Sequence, residues 1–332
     1  SASYAFAQKS LWRYPTGFNL PQTTVVDESN NGIIYVALKA GGVLVLEAKG
    51  KDGKPKRIAQ VLKRDLFNLD AMDATQRGNY LYVALGDFFR RNVRAGLAVI
   101  DISDPKRPKV TARWRSKTNL HGAAEVVVDG NEVYLGAMEH GVFVFDVSNK
   151  KRVREISNIK LDRNYPRANP NRVQEPNTRG LAVRGNFLYV ANDAGGLRIV
   201  DISNKRNPRE IGKHILRKTG LKQQAYNNIA LNFPYVYIAL DYCGMEVVDI
   251  RNPRKPKHVG WWNPWGCPTN NWFTSVGHTN EIAYDKNCGV VFTSTGKSEM
   301  YAIDVSDPTQ PDSLAVFGNT TNKEGTWGCR NT

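Results

Sequence analysis

The sequence predicts an all-β protein built from one four-stranded antiparallel unit used repeatedly. Two observations carry this reading. First, a string led by glycine and closed by aspartate recurs along the chain. It reads GLAVIDISDPKRP at 96–108, GVFVFDVSNKKRV at 141–153, GLRIVDISNKRNP at 196–208, GMEVVDIRNPRKP at 244–256 and EMYAIDVSDPTQP at 299–311. A worn copy, GVLVLEAKGKDGKP, stands at 42–55. Recurrence at a fixed spacing of about 45–55 residues is the mark of a repeat architecture. Second, the segments around each copy carry the short apolar runs of strands, with hardly any helical periodicity.

Each unit can be read strand by strand. It opens with an apolar stretch such as AAEVVVDG at 123–130 or NIALN at 228–232. A second strand follows a polar or glycine-bearing turn, as in a hairpin. It reads GIIYVAL at 32–38, NYLYVALG at 79–86, NEVYLGA at 131–137, NFLYVAN at 186–192, PYVYIALD at 234–241 and GVVFTSTG at 289–296. The glycine-to-aspartate string is the third strand. In one copy Leu197, Ile199, Val200 and Ile202 put apolar groups on both faces, as in a strand covered on both sides. Asp201, Ser203, Asn204 and Pro208 then supply turn chemistry. Short polar side chains accept from turn amides, and proline sits where no ladder bond is needed. A fourth strand closes the unit, as in VTARWRS, REISNIKL, REIGKHIL, HVGWWNP and SLAVFGN.

Four-stranded units at this spacing are blades, and blades set radially form a β-propeller. Six units are complete. KSLWRYP near the start of the chain is similar to the fourth strand HVGWWNP, so a seventh blade split between residues 1–17 and 319–332 is expected. A plain six-bladed ring is the alternative. The whole chain, 1–332, reads as one domain with an N-terminal arm at 1–19, repeats at 20–318 and a tail at 319–332. These repeats resemble the LVIVD-repeat family over about residues 20–318. The five copies match its motif in order, and the copy at 42–55 departs from it, with Glu47 in the aspartate's place. The resemblance implies an exported or surface-associated propeller.

Composition narrows the class. The 41% hydrophobic and 23% charged fractions are those of a globular chain, and no run approaches the 18 or so apolar residues of a membrane helix. Ala5-Phe6-Ala7 looks like the small-x-small region of a signal peptide, so a periplasmic or secreted location is expected. The four cysteines, Cys243, Cys267, Cys288 and Cys329, show neither C-x-x-C nor C-x-x-C-H spacing, which excludes covalent haem attachment on motif grounds. The net charge of +15, from 46 basic and 31 acidic residues, favours an anionic partner such as an acidic protein face, a polysaccharide or another polyanion.

Antiparallel connectivity sorts the remaining candidates onto two faces. Turns between strands one and two and between three and four lie on one end, here called the lower face. Turns between two and three, with the links between blades, form the upper face. The lower face collects a basic rim: Lys106 and Arg107, Lys151 and Arg152, Lys205 and Arg206, Arg254 and Lys255. This rim reads either as a solvated edge or as a docking surface whose binding weakens with salt. The upper face collects aromatics: Trp261, Trp262, Trp265, Trp272 and Phe273, together with Phe88, Phe89, Arg90 and Arg91. They read as a partner-binding surface, or as rings that fill their own loop. Cys243 and Cys267 fall on the same face of one blade and are the preferred disulfide, leaving Cys288 and Cys329 to close the tail.

At the axis, Asp73, Glu125 and Glu281 take equivalent places in three repeats, with Thr24, Gly180 and Asn228 in the others. A carboxylate ring of this kind suits calcium, although hydrated channel lining is the plainer reading. The aspartates closing the strings, Asp101, Asp146, Asp201, Asp249 and Asp304, read as turn caps rather than catalysts. The five histidines show no zinc spacing, and no nucleophile elbow, phosphate loop or dinucleotide fingerprint is present. The leading expectation is an exported binding or scaffold subunit that is not catalytic by itself, with other protein subunits as partners and nucleic acid disfavoured. One concrete version is a haem-free propeller in a periplasmic multi-haem redox complex of the hydrazine synthase β-subunit type. Two rivals remain: a surface adhesin or carbohydrate binder stacking sugars on Trp265 and Trp272, and an enzyme with its site around His121, Glu125, His278 and Glu281.

Overall fold

The computed structural model describes residues 21–50, 53–119, 121–166, 176–219, 225–267, 277–295 and 299–318. They form six four-stranded sheets, each with its strands in sequence order. Blade 1 holds β1 (Thr23–Val26), β2 (Ile33–Ala37), β3 (Val43–Glu47) and β4 (Lys56–Val61). Blade 2 holds β5 (Ala71–Arg77), β6 (Tyr80–Leu85), β7 (Gly96–Asp101) and β8 (Lys109–Arg115). Blade 3 holds β9 (Glu125–Asp129), β10 (Glu132–Gly136), β11 (Val142–Asp146) and β12 (Arg154–Ile159). Blade 4 holds β13 (Gly180–Arg184), β14 (Phe187–Ala191), β15 (Leu197–Asp201) and β16 (Arg209–His214). Blade 5 holds β17 (Tyr226–Asn232), β18 (Tyr235–Leu240), β19 (Gly244–Asp249) and β20 (Lys257–Trp262). Blade 6 holds β21 (Ile282–Asp285), β22 (Val290–Ser294), β23 (Glu299–Asp304) and β24 (Asp312–Gly318). The seventh blade expected from the chain ends falls outside the described residues.

The first strands stand side by side from β1 through β5, β9, β13 and β17 to β21, so they line the axis. The core lies between blades rather than at one centre. Separate hydrophobic clusters join blades 1 and 2, 2 and 3, 3 and 4, 4 and 5, and 5 and 6. This is why the third strands are apolar on both faces: each sheet is covered on two sides. The second strands repeat a buried tyrosine at Tyr35, Tyr82, Tyr134, Tyr189 and Tyr237. In every blade the pairing of strands three and four shifts register once, as between Val99 and Ile100 or Ile199 and Val200. Such a bulge bends the outer strand and strengthens its twist.

The glycine that leads the string has a steric reason. Gly196 and Gly244 have φ of +75° and +77°, and a Cβ there would lie 2.3 Å from His214 O and 2.1 Å from Trp262 O. The fourth strand therefore closes directly over this turn. On the same upper face, Lys39, Met138 and Asp193 pair with Ala71, Thr178 and Tyr226 of the next blade, tying neighbouring blades through their backbones.

Candidate functional site

The lower rim is built by two consecutive side-chain-to-backbone turns in each string. The first aspartate accepts from the amide two residues on: Asp101 from Ser103, Asp146 from Ser148, Asp201 from Ser203, Asp249 from Arg251 and Asp304 from Ser306, all at 2.8–2.9 Å. Three residues later a second Asp or Asn repeats the contact: Asp104 to Lys106, Asn149 to Lys151, Asn204 to Arg206 and Asn252 to Arg254, at 2.9–3.1 Å. The backbone hydrogen bond from Ser103 is the largest cause holding the Asp101 carboxyl below its ordinary value. The aspartates are thus turn caps, and the basic side chains between them point outward. Lys106, Arg107, Lys151, Arg152, Arg206, Arg254 and Lys255 are exposed. Lys205 departs from the expectation of a free rim. It is half-buried, and its ammonium lies 6.0 Å from the Tyr134 ring of the preceding blade.

The upper face holds fewer free rings than the sequence suggests. Trp261 and Trp262 end β20 rather than standing in the link, and Trp262 is 4% exposed. Trp262 stacks edge-on against Trp265 and Tyr301, at 5.5 and 5.0 Å between centroids, and its Nε1 donates to Ser313. Trp261 donates to Cys243 O at 2.8 Å. Trp262 and Trp265 therefore pack between blades 5 and 6 and Trp261 against the cluster between blades 4 and 5, with Trp261 and Trp265 half-buried, because a ring's area is best buried where sheets converge. Trp272 and Phe273 lie outside the described residues. Cys243 and Cys267 form the expected disulfide, with Cα atoms 4.7 Å apart. Cys288 is exposed and unbonded to any described cysteine, and Cys329 lies outside the described residues. Phe88 is likewise buried, against Met72 and Met138, with the Arg179 guanidinium 4.9 Å from its ring. Phe89, Arg90 and Arg91 remain exposed; Arg90 pairs with Asp87 at 3.2 Å.

Along the axis the structure brings the three expected acids into one polar layer. Asp73 accepts from Thr23 Oγ1 and from the Val126 amide, both at 2.8 Å. Asn228 donates to Glu125, at 3.3 Å, and to Glu281. Burial, then the nearby Asp73 charge, push the Glu281 carboxyl well above its ordinary value. Below this layer the channel widens into an open cavity of about 370 Å³ lined by Val127, Leu181, Ile229 and Ile282, with Gln76 and Asp129. Among the described residues, no group of three histidine, cysteine or acidic side chains is placed to hold a metal ion. His121 and His278 are taken by different carboxylates, Glu139 at 2.6 Å and Asp241 at 2.8 Å.

Two buried charges escape the reading of the repeats. Arg198 is fully buried and bonds Glu210 at 2.7 Å and the carbonyls of Gly195, Asp162 and Tyr165. Glu246 is fully buried and accepts from His214 at 2.7 Å, His258 at 2.9 Å and Tyr226 at 2.8 Å. Burial opposes its ionisation, yet these hydrogen bonds outweigh that cost and its carboxyl sits below the ordinary value. The signal was present: both stand second after the leading residue of the string, where the siblings are Leu44, Ala98, Phe143 and Tyr301.

Comparison with known proteins agrees with this architecture. The LVIVD repeat matches residues 70–114, 122–160, 177–214 and 227–263, which correspond to blades 2 to 5. The copies in blades 1 and 6 fall outside those matches. The chain is thus a β-propeller carrying LVIVD repeats. No curated protein matches the sequence. Among solved structures, the RRP9 WD40 repeats align with a TM-score of 0.65 at 12% identity, covering 91% of this chain and 82% of that one. The Cps50 (Swd1) β-propeller domain of Myceliophteria thermophila aligns at 0.63 and 13%, covering 93% and 88%. Sqt1 of Saccharomyces cerevisiae aligns at 0.57 and 11%, covering 89% and 72%. At these identities the likeness is one of fold. None of these matches supports the hydrazine synthase type.

Proposed function

We propose that this chain is a binding scaffold in an extracytoplasmic protein complex, docking an acidic partner on its basic lower rim. The observation that supports this most is the turn geometry of blades 2 to 5. Each string spends its aspartate and its second Asp or Asn on backbone amides, and Lys106, Lys151, Arg152, Arg206, Arg254 and Lys255 stand exposed on one end, while Arg107 and Arg251 pair with Asp104 and Asp249 and Lys205 is half-buried. A rim of one sign on a rigid scaffold gains little folding stability from its charges, and it steers an oppositely charged surface into register. The extracytoplasmic part of the reading rests on the LVIVD repeats, the Cys243–Cys267 disulfide, and the absence of a helix long and apolar enough to cross a membrane among the described residues.

The test is native purification at low salt, followed by charge reversal. The expected result is a stoichiometric acidic partner that dissociates as salt rises and that is lost from the Arg152→Glu, Arg206→Glu, Arg254→Glu variant. Retention of the partner by that folded variant would overturn the rim as the docking surface. A chain that purifies alone under all conditions would overturn the scaffold reading itself.

A further inference from the structure

An open groove of about 810 Å³ runs along the outer side of blade 2, lined by Pro108 and by five consecutive residues of β8, Lys109 to Arg113. Side chains of a strand alternate between its two faces, so a groove that touches five in a row follows the edge of the strand. That edge is unpaired. β8 ends its sheet and pairs only with β7, which leaves its outward amides and carbonyls without a strand partner. Val61 at the end of β4 and Phe67 in the link between blades 1 and 2 add apolar surface, and Lys151 reaches the groove from the turn of blade 3.

The walls are basic. Arg64, Lys109, Arg113 and Lys151 line the groove against one carboxylate, that of Asp65, and all four cations are exposed. Neutral groups hold Arg113 in place: its Nη1 donates to Asp65 O at 2.8 Å, and its guanidinium lies 4.4 Å from the Phe67 ring, with that of Arg115 at 5.0 Å. A ring face attracts a guanidinium without cancelling its charge. Phe67 takes this place with a φ of +58°, a left-handed conformation that is uncommon for a bulky residue. A polyanionic sugar or nucleic acid would meet the charges, yet it offers no run of amides and carbonyls to a strand edge. A second copy of this chain would bring a net charge of +15 and the same basic edge. An extended acidic peptide meets both the charges and the unpaired edge, with Val61 and Val110 available to apolar side chains between its acids.

We propose that the edge of β8 is a docking site for an extended acidic segment of a partner protein, which adds to blade 2 as a further strand. Main-chain hydrogen bonds supply the affinity, and Arg64, Lys109, Arg113 and Lys151 select acidic side chains. This site rests on the scaffold reading for its partner, and it does not include the rim residues Arg152, Arg206 and Arg254.

The experiment uses the intact chain and a fluorescein-labelled peptide of alternating glutamate and valine, titrated by fluorescence anisotropy at low salt. The same peptide with all its amides N-methylated, a peptide of alternating lysine and valine, and a heparin fragment are the comparisons. The acidic peptide is expected to bind and to slow hydrogen exchange of the amides from Lys109 to Arg115. Arg113→Glu and Arg64→Glu should each weaken it about tenfold or more, and N-methylation should do the same. The Arg152→Glu, Arg206→Glu, Arg254→Glu variant should change its affinity by less than about threefold. No binding of the acidic peptide would overturn the proposal, as would equal binding of the N-methylated or the lysine peptide. Binding that survives both Arg113→Glu and Arg64→Glu would overturn it too. A heparin fragment that binds where the peptide does not would make the groove a polyanion site instead. Failure of the peptide to bind, with the native acidic partner still lost from the rim variant, would remove this site alone and leave the scaffold reading in place.

Discussion

Arg198 and Glu246 occupy the same position of the string in successive blades, and each buries a charge where the sibling strands carry apolar groups. Their partners differ. Arg198 holds Glu210 and three backbone carbonyls, while Glu246 gathers two histidines and a tyrosine hydroxyl. Removing one member of a buried, hydrogen-bonded charge pair strands the other, at a typical cost of about 3–5 kcal/mol. Arg198→Leu should therefore lower unfolding stability by about 3 kcal/mol or more in a urea titration. A loss below about 1 kcal/mol would show that water replaces the guanidinium at that position.

The axial and mouth carboxyls predict a stability that declines as pH rises. Asp193 and Glu281 have folded-state values above their ordinary 3.8 and 4.5, so in this range the folded chain binds more protons than the unfolded one. Their contribution is complete below about pH 4 and is lost as pH climbs through about 7 for Asp193. Asp101, Asp201 and Glu246 act in the opposite sense, because their lowered values contribute stability that disappears as pH falls below about 4. Thermal unfolding should peak in the mildly acidic range. In Glu281→Gln the decline on the alkaline side should be shallower, and an unchanged slope would remove Glu281 from this account.

The architecture was legible because its causes are local and repeated. A glycine required by the closing fourth strand, an aspartate required by the turn and apolar groups on both faces recur along the chain, as Gly196, Asp201 and Ile199 show in one copy, although blade 1 has Glu47 for the aspartate and blade 6 has Glu299 for the glycine. The disulfide followed from the same connectivity. The burial of Trp262 and Phe88 was not legible, since only packing against Tyr301 or Met72 decides whether a ring faces solvent.

The aromatic cluster on blade 5 gives a direct test of which rings are structural. Trp262→Ala removes a ring in contact with Trp265 and Tyr301 and should cost about 3–5 kcal/mol. Phe89 is 52% exposed, with its ring 4.2 Å from that of Phe88 and 5.2 Å from the Lys39 ammonium, so Phe89→Ala should cost no more than about 1.5 kcal/mol. Chemical denaturation of the two variants side by side reads both. Equal losses would mean that Phe89 is packed in solution.

Reduction of the Cys243–Cys267 bond frees a loop with a sequence separation of 24. For a loop of this size the chain-entropy argument gives about 3 kcal/mol. The double variant Cys243→Ala, Cys267→Ala should therefore unfold at lower denaturant concentration, without a change in the far-ultraviolet spectrum of the folded sheet. A spectrum that changes as well would show that the link shapes blade 5 itself.

Neighbouring blades differ in how closely they approach, and two glycines mark the tight contacts. A Cβ on Gly212 of β16 would lie 2.0 Å from Pro253 O in the next blade's proline turn, and one on Gly260 of β20 would lie 2.2 Å from Pro308 O. Blades 1 and 2 carry Ala59 and Ala112 at the matching places, beside the same register shift. In blade 3 the matching Ser157 instead donates to Lys205 O at 2.7 Å. The obstacle at Gly212 is backbone rather than a flexible side chain, so Gly212→Ala forces blades 4 and 5 apart. Overpacking of this kind typically costs about 1–3 kcal/mol. Gly78→Ala is the comparison: its glycine has φ of +55° but open space around it, so only backbone strain of about 1 kcal/mol is expected. A Gly212→Ala chain as stable as wild type in urea would show that the blades slide past one another freely, and that the proline turns do not set their spacing.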